Sequence, residues 1–562
     1  MIEYVIKPAQ MNFAPNNFKT FLNTYFHSIK MNIKSLPFRA DFLLFGIKSS
    51  FLIIFIYLFV VNSWMNDDAY ITFRMIDNFI HGYGLRWNIA ERVYINIHPL
   101  WMFLISVFYF FSKEPYFTTL LISFFLSSIT LFILWKKCKQ NISLITLSSL
   151  LLFSSKAYID FCSSGLENPL SYLLCSIFFT TFLFGERQKN KPHSILFYFT
   201  IATLCFLTRF DTILIYLPSL IFLLYSHYRT HGKWNAFEIG IAISPAVLWF
   251  LFSLTYFGFF FPNVYYAKLN TNISLLQRIF QGFYYFKFSF FHDPITPAVI
   301  LMGILIGFRS KQPFEKLTVI GIIFYLLYIF KIGADFMSGR FFTVPYLISV
   351  ILIIRYSKIS NKGMLACILF LIIYNIQTPR APFNSGKDYQ KKHSHNHDSP
   401  IESGVTDDRL YYHNASSLLH YNKNINPFPN MSYSQDGLKL KKANIHAITV
   451  NKSIGYLGYF SGPTVFIIDH YGLSDPLLAR IPGKKTKLIG HNFRFIPEGY
   501  LQSQQTGTNI IEDTKLRELY NKIRMVTRGK LFTWQRWRYI IELNFDNNRF
   551  FKGQYKIDHS YK

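Results

Sequence analysis

Apolar runs return roughly every 20 to 40 residues between Phe42 and Ile376, and this repetition leaves few folds open. Such runs are stable against other apolar surface or in lipid, not in water. With 562 residues, 51% of them apolar, and 62 Phe and 37 Tyr, the chain reads as a polytopic α-helical membrane protein rather than a soluble one. Eleven runs are expected as transmembrane helices: Phe42 to Val61, Tyr116 to Trp135, 142–155, 169–185, 194–207, 212–226, 237–256, 294–308, 317–331, 341–355 and 363–376. Several hold only about 15 residues, short of the usual 20 or so, and borrow flanking Tyr, Phe and Ser. Residues 99–111 are shorter still and are expected to lie in the membrane interface.

The formal charge of +28 would suggest nucleic acid in a soluble chain. Here much of the Lys and Arg sits in short loops between apolar runs, where it reports topology, so nucleic acid is not an expected partner. Residues 1–41, with Lys7, Lys19, Lys30, Lys34 and Arg39, form a cytoplasmic N-terminal segment by the positive-inside rule. The first helix then puts loop 62–115 outside, and Lys136-Lys137-Cys138-Lys139 returns inside. The basic loops with Arg187/Lys189/Lys191, Arg229/Lys233, Arg309/Lys311/Lys316 and Arg355/Lys358/Lys362 also fall inside, completing a membrane domain over 42–376. Residues 377–400 read as a polar linker, and its His393, His395 and His397 as solvated rather than metal-binding. Residues 401–562 are expected to form an α/β domain outside the membrane, with strands at Ile445–Val450 and Thr464–Ile468 and an amphipathic helix at Glu512–Val526. The five cysteines form no suitable pair or CxxC site, and a cleavable signal peptide is not expected.

This topology, set by basic residues alone, gathers charged loop sequences on one face. Asp67 and Asp68 follow directly on the first apolar run. Apolar spacing at Ala69, Phe73, Ile76 and Ile80 predicts a helix along the membrane, with the two carboxylates at its N-terminus. The helix dipole favours their ionised form; their mutual repulsion raises one pKa. They are either a cap and its neighbour or a proton-accepting base. Arg209 with Asp211, and Asp335 with Arg340, are salt-bridged loop residues or, for the arginines, grips on a phosphate. Lys268 is a snorkelling anchor or a further phosphate contact, and Glu167 a helix N-terminal acid or a sugar contact. Asp475, before Pro476, has the place of a turn residue.

The ordered motifs Asp-Asp-Ala-Tyr-Ile-Thr-Phe-Arg (67–74), His-Gly-Tyr-Gly-Leu-Arg-Trp-Asn (81–88), Pro-Leu-Trp (99–101), Ser-Gly-Leu-Glu (164–167), Thr-Arg-Phe-Asp (208–211), Pro-Asn-Val-Tyr-Tyr-Ala-Lys (262–268), Gly-Ala-Asp-Phe-Met-Ser-Gly-Arg (333–340) and Ile-Asp-His-Tyr-Gly-Leu-Ser-Asp-Pro-Leu-Leu-Ala-Arg (468–480) resemble the GT-C membrane glycosyltransferases. Within them the chain is similar to the terminal β-(1→2) arabinofuranosyltransferase family and its Gram-negative relatives. It departs from the family pattern at Asn96-Ile97-His98 and at Phe210.

The resemblance implies an inverting glycosyltransferase of the bacterial inner membrane, with its C-terminal domain periplasmic. It would move a sugar, arabinofuranose-like, from a polyprenyl-phosphate donor to a cell-envelope glycan or glycolipid. Asp67 is the first choice of base and Asp68 its partner. Arg209, Lys268 and Arg340 are expected on phosphate, and Asp335 and Glu167 on sugar or acceptor. Arg74, His98, Asp211, Asn263 and Tyr266 are further substrate-binding candidates, with Asp469, Asp475 and Arg480 enclosing the acceptor from the outer domain. Some GT-C enzymes use a divalent ion such as Mg or Mn, which Asp67 and Asp68 could ligate, but no full ligand set is visible. A lipid-linked-sugar flippase or transporter would share the helices, but calls for charge deep within them. A non-enzymatic envelope-assembly protein is the third reading.

Overall fold

The structure is a computed structural model describing residues 37–185, 194–232, 234–269, 273–356, 360–393, 404–443, 447–484, 490–546 and 549–559. The expectations for residues 1–36, Arg187, Lys189, Lys191, Lys233, Lys358, His395 and His397 lie outside the described residues.

All eleven apolar runs fall on helices. Six helices are long and apolar enough to cross a membrane: Asp41–Val61, Pro115–Lys137, Phe210–His231, Ala236–Tyr256, Pro313–Ile332 and Asn361–Asn384. Leu275–His292 and Ile295–Arg309, bent by 107° at their junction, make a seventh if taken as one span. Against the eleven crossings expected, six of the described helices, or seven with the bent pair, are thus candidates by length and composition. The others are too short: Ile142–Ser154 has 13 residues and Asn168–Phe184 has 17. At 1.5 Å per residue such helices rise about 20–25 Å, less than the roughly 30 Å hydrocarbon core. Their place is inside the bundle. Every residue of Thr343–Ile354 is buried, and that helix packs on Ile295–Arg309, Asn168–Phe184 and Ile142–Ser154. Small residues allow the close approach. A Cβ on Gly303 would lie 2.5 Å from Ser349 Cβ, and one on Gly321 2.1 Å from the Ile215 carbonyl oxygen. Helix starts follow from local chemistry: the Glu114 carboxylate accepts the Tyr116 and Phe117 amides ahead of Pro115, and Asn141, Ser194 and Ser360 cap the helices they precede.

Pro99–Ser112 is a helix with one buried face and Val107, Phe108, Phe110 and Phe111 exposed on the other. Leu275–His292 was not foreseen as a helix; its apolar residues are interrupted by Gln277, Arg278, Gln281 and Lys287.

Where an α/β domain is expected beyond residue 400, the described residues form one two-stranded parallel sheet among helices and irregular chain. Strands β1 (Ile448–Asn451) and β2 (Phe466–Asp469) pair with Ile448 opposite Phe466 and Asn451 opposite Asp469. The helix Gly455–Ser461 connects them, and the expected amphipathic helix is Thr514–Arg528. This region does not stand apart. Val405, Ile454, Tyr456, Leu457, Val465 and Ile467 join the same core as the membrane helices. A second core combines Ile468, Leu477, Ile523 and Ile540 with Phe259, Tyr266 and Ala267.

Residues 378–393 are not a free linker either. Arg380, Ala381, Tyr389 and His393 are buried, because Asp407 accepts from the Tyr389 hydroxyl at 3.2 Å and pairs with Arg380 at 3.8 Å. Burial, with the positive charge of Arg380, holds His393 neutral, its pKa lowered to about 4.

Candidate functional site

Asn66 closes the loop after the first long helix and caps the helix Asp67–Ile80, its side-chain oxygen accepting the Asp68 amide at 2.7 Å. The same side chain donates to Asp408 at 2.9 Å, and the Asn66 amide donates to the Ser164 carbonyl at 2.9 Å. The Ser164-Gly165-Leu166-Glu167 turn is thereby drawn onto the two aspartates. Gly165 has φ +80°, and a Cβ there would meet Met65 Sδ at 2.1 Å and Ala69 Cβ at 2.7 Å. Only glycine fits that conformation and spacing.

The adjacent carboxylates then part. Asp67 is buried, and its oxygens accept the amides of Gly455 at 3.0 Å and Tyr456 at 2.7 Å. It clamps the helix Gly455–Ser461 and does not line the cavity. Asp68, partly exposed, lines a cavity of about 100 Å³ together with His98, Lys268, Asp335, Arg340 and His491. The preference for Asp67 as the base is corrected on this ground: its lone pairs are held by backbone donors. Burial pushes the Asp68 carboxyl up to about 6; Arg340 and Lys268 pull it down, Asp335 and Glu167 push it further up.

Behind the cavity, Glu167 is the centre of a buried ionic network. Its oxygens accept from Arg340 Nη2 at 3.1 and 3.2 Å, and it lies 3.7 Å from Arg209 and 3.6 Å from His98 Nδ1. Burial alone would raise its pKa, but Arg340, His98 and Arg209 outweigh this and hold it at about 2. His98, buried and beside two arginines, is lowered to about 4 despite Glu167, and its Nε2 lies 2.9 Å from the Thr72 hydroxyl. Arg340 also pairs with Asp335 at 3.4 Å. Asp335 follows Ala334, a non-glycine residue at φ 61°, so this turn holds a sparsely populated backbone conformation.

Arg209 forms two bonds to Asp211, at 2.9 and 3.1 Å, stacks 4.4 Å from the Phe341 ring and does not line the cavity. The expected phosphate grip of Arg209 and ligand contact of Asp211 are corrected accordingly: the two neutralise each other. Six further candidates hold the fold together. Arg74 donates to the carbonyls of Trp87, Gly458 and Val465. Asn263 donates to those of Gly472 and Asp475 and accepts from Arg480, which sits 4.2 and 4.3 Å from the Phe259 and Tyr266 rings. Asp469 accepts the amides of Tyr471, Leu473 and Ser474, and Asp475 those of Leu477 and Leu478, as turn residues. Tyr266 packs with its hydroxyl toward Asn544.

Of the sequence-derived candidates, then, the cavity brings together Asp68, His98, Lys268, Asp335 and Arg340, with Glu167 directly behind. Thr72, Asn96 and His491 join them unforeseen. Thr72 falls one helical turn after Asp68, a spacing that marks it for the same face; nothing comparable marks His491. Neither Asp68 nor Lys268 has an ion-pair partner among the described residues. No three His, Cys, Asp or Glu side chains among the described residues converge as metal ligands. Comparison with protein-family models, curated proteins and solved structures finds no match to this chain.

Proposed function

We propose that the chain is an inverting glycosyltransferase of the GT-C kind, with Asp68 as general base. The observation that carries this reading is that one cavity is lined by both Asp68 and Lys268, a carboxylate and a cation without ion-pair partners among the described residues, with Arg340 beside them. A carboxyl pushed up to about 6 is ionised at neutral pH, yet basic enough to take a proton from a sugar hydroxyl as it attacks. The acceptor oxygen bonds to the anomeric carbon from the face opposite the phosphate. The carbon–oxygen bond to phosphate breaks with its electron pair on the phosphate, and the acceptor proton passes to Asp68. Lys268 and Arg340 stabilise the leaving polyprenyl phosphate as its charge grows. Asp335, Asn96 and His98 supply polar groups for sugar hydroxyls at the same wall.

The donor class, the arabinofuranose-like sugar, the cell-envelope acceptor and the external face of a bacterial inner membrane rest on the resemblance of the motifs. The test is transfer in proteoliposomes, with polyprenyl-phosphate pentoses as donors and envelope glycolipid as acceptor. Wild type should form glycoside and release polyprenyl phosphate; Asp68→Asn should lose transfer by about 100-fold or more while remaining folded. Full transfer by folded Asp68→Asn would refute the base. Movement of intact donor across the bilayer without cleavage would instead identify a transporter.

A further inference from the structure

The helix Trp534–Phe545 has two apolar faces, and among the described residues only one is buried against protein. Arg536, Ile540, Leu543 and Asn544 are buried. The opposite face carries Trp534, Ile541 and Phe545, exposed by 85%, 57% and 71%, with Arg538 between them. At 100° per residue these four positions fall within about 60° of one another, so they form a stripe rather than a scatter.

The buried face fixes where that stripe stands. Arg536 donates from Nη1 to the Thr255 carbonyl at 2.8 Å and from Nη2 to the Tyr256 carbonyl at 3.0 Å. Those carbonyls end the membrane-crossing helix Ala236–Tyr256, whose Val247, Leu248 and Leu251 are exposed. Asn544 donates to the Gly258 carbonyl at 2.8 Å, and Phe545 lies 5.9 Å from the ring of Phe260, four residues past the span. The helix is thus bonded to the last turn of a span, at the depth where a bilayer gives way to water. Trp and Phe on one stripe match the chemistry of that layer, rings among headgroups and upper acyl chains, while Arg538 between them is exposed and paired with Glu542 at 3.0 Å.

We infer that the Trp534–Phe545 helix is an interfacial anchor, its outer stripe seated on the phospholipid headgroup layer beside the Ala236–Tyr256 span. Seating this helix ties the second core, of which Ile540 and Leu543 are part, to the membrane surface.

Nitroxide labels at Ile541→Cys, Phe545→Cys and, as a water-facing reference, the exposed Glu518→Cys test this in the full chain, with its five native cysteines replaced. The chain is held in nanodiscs of phosphatidylethanolamine and phosphatidylglycerol. Oxygen, which concentrates in lipid, should relax the labels at 541 and 545 more than a water-soluble nickel chelate does, with the order reversed at 518. Chelate access at 541 and 545 equal to that at 518 would overturn the anchor. Shielding of both sites from both relaxants would overturn it too, by showing a protein on the stripe. A second measurement keeps the native cysteines: brominated lipids should quench wild-type tryptophan emission more than that of Trp534→Phe, and equal quenching would likewise count against the anchor.

Discussion

The carboxylate of Asp67 accepts the backbone amide of Tyr456 at 2.7 Å, across 389 residues of sequence. Together with the Gly455 amide at 3.0 Å, this makes Asp67 the anion at the start of the Gly455–Ser461 helix and leaves the cavity to Asp68. The two neighbours should therefore fail differently on substitution. Asp67→Ala leaves two buried amides unpaired and should cost about 2–4 kcal/mol of stability. Thermal unfolding in nanodiscs should show that loss for Asp67→Ala and little change for Asp68→Asn, whose defect lies in transfer.

The acid limb of the pH–rate profile should report Asp68. Its pKa stands at about 6, raised by burial against the opposing pull of Arg340 and Lys268. Below that value the carboxyl is protonated and cannot accept the acceptor's proton, so the rate should fall as pH drops through 6. The groups acting on it set the sign of each shift. Lys268→Met removes a lowering charge and should move the limb to higher pH; Asp335→Asn removes a raising charge and should move it lower. Movement of both variants in one direction would contradict the assignment of Asp68 as the titrating base.

Glu167 should behave as a structural ion. It is fully buried, with Arg340 at 3.1 Å and Arg209 at 3.7 Å. Glu167→Ala leaves two guanidinium groups short of their counter-charge, a loss of about 3–5 kcal/mol for a broken buried pair. Lys268, exposed and without an ion-pair partner among the described residues, has nothing comparable to lose. Denaturation midpoints for Glu167→Ala and Lys268→Met should separate widely, while transfer activity falls in both.

The sequence carried the helices clearly because apolar runs and cap residues are local signals. Asn66, Asp67 and Asp68 were likewise legible as a charged helix start. Which carboxylate faces the cavity was not, since that depends on amides supplied by Gly455 and Tyr456. The same blindness separates Lys268 from Arg480. Both are cations in conspicuous motifs, but Arg480 lies between Phe259 and Tyr266 and donates to Pro476, whereas Lys268 reaches the cavity. Placement within the bundle was hidden for a related reason. Residues 343–354 are as apolar as a lipid-facing helix, but their surroundings are protein.

Gly455 should tolerate no side chain, although its backbone does not demand glycine. A Cβ there would lie 1.8 Å from the Asp67 carbonyl oxygen, 2.6 Å from its carbonyl carbon and 2.8 Å from its Cγ. Two of those atoms are backbone, so no rotamer change relieves the overlap, and the helix Gly455–Ser461 must retreat from Asp67–Ile80. That retreat opens the contacts of Tyr70 with Tyr456 at 4.6 Å and Tyr459 at 5.3 Å, besides lengthening both hydrogen bonds to Asp67. Gly455→Ala should therefore cost about 3 kcal/mol, the upper part of the usual range for overpacking. Gly386→Ala, with open space around its Cβ, should leave the unfolding midpoint unchanged. Because Asp68 rides on the same first helical turn as Asp67, Gly455→Ala should also reduce transfer, and Asp67→Ala combined with it should cost less than the sum of the two, since both act on one contact.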